Sequence, residues 1–92
     1  MAKQSASMRK GERTAVCNER DYPHIVELPV PARGFGDVLH AISAFHDGRR
    51  VALRRGRGAR RDDRDYARWC FADPGTAHAF AQAFGGVYMC RR

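Results

Sequence analysis

The stretch RDYARWCF at residues 64–71 constrains this chain more than any other, because its side chains alternate between two sides. Ala67, Trp69 and Phe71 fall on one side and Tyr66, Arg68 and Cys70 on the other, the period of a strand with one buried face. The C-terminal segment extends the pattern. Asp73-Pro74 predicts a helix start, since Asp accepts from free backbone N–H groups and Pro brings a preset φ to the first helical position. Ala77, Phe80, Ala81 and Phe84 form the apolar stripe, Gly85-Gly86 ends the helix, and VYMC at residues 87–90 predicts a last strand with Val87 and Met89 inward.

The first half has the same kind of unit. In HIVELPV at residues 24–30, Val26, Leu28 and Val30 alternate with Ile25, Glu27 and Pro29, and the prolines at 29 and 31 weaken any ladder toward that end. Val38, Leu39, Ile42 and Phe45 then lie on one stripe of a helix that stops near Gly48. Residues 51–55 predict a short strand with Val51 and Leu53 inward, and GRGARRDDR at residues 56–64 is too polar and Gly-rich for a strand interior, so it predicts the hairpin loop.

The order is strand, helix, strand, strand, helix, strand. Right-handed crossovers fold that order into an α+β domain, a ferredoxin-like βαββαβ arrangement with a four-stranded antiparallel sheet and two helices packed on one face. The expected core is Val26, Leu28, Val38, Leu39, Ile42, Phe45, Leu53, Trp69, Phe71, Phe80 and Phe84. At 92 residues there is room for one domain, placed at residues 23–92. Residues 1–22 carry five cations against three carboxylates with no sustained apolar period, and predict a disordered basic tail.

The sheet face turned away from the helices is expected to stay open, displaying Ile25, Glu27, Ala52, Arg54, Tyr66, Arg68, Cys70 and Tyr88. Rings and guanidinium groups on a flat sheet suit single-stranded nucleic acid, because bases stack on rings or Arg planes while cations contact phosphate. Charge points the same way. Lys+Arg 17 against Asp+Glu 10 leaves +7, and residues 49–68 hold nine arginines against three aspartates, a net of +6. The residues expected to bind are Arg54, Arg55, Arg57, Arg60, Arg61, Tyr66 and Arg68.

RDYARWCF resembles the third-strand signature of RNA-recognition-motif domains, which reads basic, Gly, aromatic, small, aromatic, aliphatic, any, aromatic. Arg64, Tyr66, Ala67 and Phe71 agree with it, whereas Asp65, Arg68 and Trp69 depart from it, and HIVELPV has no aromatic for the companion motif. The alternative expectation is a protein-interaction module, a homodimer or an adaptor for another protein, that covers the open face or extends the sheet at an edge.

Other classes find little support. The four His are scattered with no nucleophile placed beside them, and the phosphate-loop patterns are incomplete, so no enzyme, cofactor or catalytic residue is expected. Cys17, Cys70 and Cys90 are widely spaced and form no metal-ligand pattern, and read as reduced thiols. No apolar segment has the length of a signal or a membrane span, which predicts a cytoplasmic protein with no membrane partner.

Overall fold

A computed structural model of the chain describes residues 10–90. Its elements are α1 (Lys10–Asp21), β1 (His24–Pro29), α2 (Val38–Gly48), β2 (Ala59–Arg61), β3 (Arg64–Phe71), α3 (Pro74–Phe84) and β4 (Val87–Cys90). The strands form one antiparallel sheet in the order β2-β3-β1-β4. The chain is therefore an α+β fold on a four-stranded antiparallel sheet, with three helices among the described residues where two were expected.

The β1–β3 register sets the core. Val26 lies opposite Trp69, and Leu28 opposite Ala67, so their side chains share one face. Against that face pack Ile42 of α2 and Ala77 and Phe80 of α3, all fully buried. Phe80 is the hub, with the rings of Trp69, Phe71, Phe45 and Phe84 centred between 4.8 and 5.6 Å from its own. One polar group joins this core unannounced by the periodicity: His46, one turn after Ile42. Its Nδ1 donates to the Ile42 carbonyl at 2.8 Å, its ring lies 5.4 Å from that of Phe71 and nearly parallel to it, and its Nε2 is buried without a partner among the described residues.

The signals around α3 act as expected. The Asp73 carboxylate accepts from the Thr76 backbone N–H at 2.8 Å, which holds its pKa below the ordinary carboxylate value, and Gly85 takes the left-handed conformation at φ 74. The next residue decides the phase of β4. A Cβ on Gly86 would stand 2.5 Å from Val26 Cγ1 and 2.7 Å from Leu28 Cδ2, so Gly86 lies against the core. Strand alternation then carries Tyr88 to that side, and Val87 and Met89 to the other. The expectation of Val87 and Met89 inward is thus reversed: Val87 is 62% exposed.

Three further expectations change. Val38, Leu39 and Leu53, placed in the core by their spacing, are each about two-fifths exposed: α2 turns Ile42 and His46 to the sheet and leaves Val38 and Leu39 of its first turn at the rim, and Leu53 lies outside any strand. The second strand does not sit at residues 51–55. It forms at Ala59–Arg61, inside the expected loop, because Asp62 and Asp63 both adopt positive φ and close a two-residue turn of the kind that matches strand twist. Residues 54–56 pair only partly with β3, the Cys70 N–H donating to the Arg54 carbonyl and the Gly56 N–H to the Arg68 carbonyl.

The third difference is α1. Residues 1–22 were expected to be a disordered tail, yet Lys10–Asp21 form a helix; residues 1–9 lie outside the described residues. Ala15, Val16, Glu19 and Tyr22 follow helical spacing and are the side chains it turns inward, with Glu19 the most buried of them. A carboxylate at the centre of the stripe conceals the helix from an apolar-periodicity reading. No helix among the described residues is long and apolar enough to cross a membrane.

Candidate functional site

The face of the sheet opposite α2 and α3 carries Ile25, Glu27, Tyr66, Arg68 and Cys70, as alternation predicted, with Tyr88 moved to the other side. It is not open where β3 meets residues 54–57, because α1 lies across that part. Ile25 and Cys70 are fully buried there. Burial, followed by the nearby Glu19 charge, pushes the Cys70 thiol up to about 11 and keeps it protonated at neutral pH. Toward β4 the same face emerges into solvent at Val87.

Beneath α1 runs a ladder of ion pairs. Arg68, with 15% of its side chain exposed, directs Nη1 to both Glu19 oxygens at 3.3 and 3.4 Å and Nε to Glu27 Oε2 at 3.0 Å. Both carboxylates have side chains only 3% exposed. Glu27 also receives both amino groups of the Arg61 guanidinium, which makes that pair two-pronged. The Arg61 contact first, and Arg68 after it, hold the Glu27 carboxyl below its ordinary range despite its burial. Glu19 accepts further from the Arg57 backbone N–H at 2.6 Å, with the Arg57 Nε at 3.9 Å. Gly56 is what admits it, since a Cβ there would stand 2.8 Å from Glu19 Oε2.

The seven residues singled out by sequence therefore fall into two groups. Arg68 is enclosed and neutralised. Tyr66 is half-buried, with the Arg61 guanidinium 4.2 Å above its ring, so one ring face is already stacked. Arg54 covers Tyr22 of the α1 exit at 3.9 Å, and Arg55 wraps the sheet edge to lie 4.5 Å over Trp69. Burial depresses the Arg55 pKa. The second group projects from the hairpin, with side chains 47% exposed at Arg57, 61% at Arg60 and 50% at Arg61. Arg60 reaches Asp65 at 2.8 Å and Asp63 at 4.0 Å. Arg64, exposed at the start of β3, and Arg50, exposed at positive φ, have no ion pair among the described residues.

Sequence reasoning missed Glu19 and Glu27 as members of this site. They bring to five the carboxylates facing the nine arginines of residues 49–68 and lower the local net charge from +6 to +4. Glu27 was visible on the expected open face; Glu19 had no signal, being on a segment without apolar periodicity.

A second polar cluster lies at the far end of the sheet. His24 Nδ1 and the Tyr88 hydroxyl are 2.8 Å apart, and the His78 ring stacks on Tyr88 at 4.2 Å. It ties β1, β4 and α3 together. Burial raises the Tyr88 pKa, and the Cys90 side chain adds to that. Among the described residues no group of three His, Cys, Asp or Glu side chains is placed to hold a metal ion. No family model matches this chain, and no curated protein or solved structure does.

Proposed function

We propose that this chain is a small non-enzymatic domain that holds single-stranded nucleic acid by its phosphates, using arginines of the β2–β3 hairpin. The observation that carries the reading is the outward projection of Arg57, Arg60 and Arg64 from the hairpin, all three of them exposed. Cations spaced along a hairpin contact successive phosphates, and releasing their counterions drives association. The strand order β2-β3-β1-β4, with both connecting helices packed on one side, supports reading the scaffold as ferredoxin-like with α1 added to it.

The test is fluorescence anisotropy of a labelled 20-nucleotide single strand at several salt concentrations. The expected affinity is in the non-specific range, a Kd of roughly 10⁻⁴ to 10⁻⁶ M near physiological salt. Replacing Arg57, Arg60 and Arg64 together by Ala removes three phosphate contacts and flattens the log–log salt slope by about 2. A triple variant with an unchanged slope overturns the assignment.

A second reading, a module that pairs with another protein or with a second copy of itself, is favoured by β4. That edge strand, VYMC, carries no charge and exposes Val87, whereas the other edge is guarded by Arg60 and Arg61. Light scattering showing a dimer across the micromolar range would support it, and a monomer throughout would remove the homodimer.

A further inference from the structure

The seat of Glu19 is a preformed oxyanion site. Its donors include the Arg57 backbone N–H at 2.6 Å and the Arg68 Nη1 at 3.3 and 3.4 Å, with the Arg57 Nε behind them at 3.9 Å. Gly56 keeps the approach clear on one side. A backbone N–H flanked by guanidinium groups is a donor set that suits phosphate oxygens as well as carboxylate ones.

The occupant is delivered by an element with a weak hold. α1 has 12 residues, too few for a helix to persist by itself in water. Its inward apolar side chains within the helix, Ala15 and Val16, are small and only half-buried. Beyond Glu19 it is tied down by polar and ring contacts such as the Asn18 Nδ2 bond to the Arg55 carbonyl at 2.9 Å and the Tyr22 ring beneath Arg54. The sheet below is held in the opposite way, by ladder pairing and the aromatic core.

We infer that Glu19 is an internal stand-in for a phosphodiester, and that α1 is a displaceable cap over a second nucleic-acid contact on the sheet face. When a strand bound at the hairpin extends along β3, one of its phosphates takes the seat between Arg57 and Arg68. α1 then lifts, uncovering Ile25, Cys70 and the Arg68 side chain, with Glu27 still paired to Arg68 and Arg61 beside the seat. This rests on the phosphate-binding role proposed for the hairpin. Because the cap must open before the second contact forms, the apparent affinity is reduced by the fraction of molecules that are capped.

The experiment uses the full chain and a labelled 20-nucleotide single strand. Glu19→Gln removes the competing charge and no group that would touch a phosphate, and it is expected to bind about tenfold more tightly. Asn18→Ala loosens α1 away from the seat and is expected to bind about threefold more tightly, which covers the case that Glu19→Gln folds poorly. Hydrogen exchange supplies the second readout: on saturation with the strand, amides of residues 13–22 exchange at least about tenfold faster while β1 and β3 stay protected. Should the wild-type chain bind the strand while α1 keeps or gains protection, with neither variant binding more tightly, the cap is overturned and hairpin binding stands. Should no form bind the strand, both readings fall together.

Discussion

Arg68→Met gives the sharpest test of how the covered face is held. Methionine preserves the apolar stem of the arginine and removes only the guanidinium, so packing changes little. What is lost is the cation shared by two carboxylates whose side chains are 3% exposed. Removing one partner from a buried ion pair costs about 3–5 kcal/mol, because the remaining charge is left without compensation. Here Glu27 keeps Arg61, and Glu19 keeps the Arg57 N–H, so the cost falls near the lower end, about 3 kcal/mol. That is a large share of the roughly 5–15 kcal/mol that holds a small domain together. With a urea m-value of about 1.5 kcal/mol/M, the unfolding midpoint drops by about 2 M. Urea titration followed by far-UV circular dichroism measures it, with the m-value checked for constancy. A loss below about 1 kcal/mol would mean that the ladder behaves as a solvated surface pair, refuting the claim that α1 encloses it.

Glu27 makes stability pH-dependent. Its folded pKa lies below the ordinary 4.5, so the unfolded chain takes up the proton first as pH falls. The contribution is complete above that value and is lost as pH drops through the folded pKa; Glu27→Gln should flatten the acid limb of a stability–pH curve, and an identical limb would contradict the pairing. Phe80→Ala leaves a cavity among the rings of Trp69, Phe71, Phe45 and Phe84 and should cost about 3–5 kcal/mol by chemical denaturation, with a loss under about 1.5 incompatible with its central place. Gly86→Ala drives a methyl into Val26 and Leu28 and should cost about 1–3 kcal/mol; a neutral result would mean that β4 does not run so close to β1. In thiol titration of the native chain at pH 8, Cys90 reacts at once and Cys70 only on unfolding, and prompt reaction of Cys70 would show that its face is uncovered.

The parts of the fold legible in the sequence are those whose signal is local. RDYARWCF and HIVEL alternate because one side of each strand meets two helices, and that pattern survives without knowledge of partners. Asp73, Pro74 and Gly85 act on backbone groups within a few residues, so the limits of α3 follow from them directly. The basic hairpin was likewise visible as a run of arginines, and its turn falls within the expected loop, although the strand before it begins later than expected: nothing local says that two aspartates, and not the glycines nearby, will take the positive φ.

Tertiary structure alone decided the phase of β4, the cover over the sheet and the partners of the arginines. Gly86 turns to the core because Val26 and Leu28, some sixty residues earlier, leave space for a hydrogen and not for a methyl. α1 forms where the chain looks too polar to order, since the stabilisation comes from a carboxylate meeting Arg68, 49 residues away, and not from an apolar stripe. Periodicity records which side chains avoid water. Which charge meets which is set by where the folded backbone brings them, and a pattern of residue types along one chain does not encode that distance.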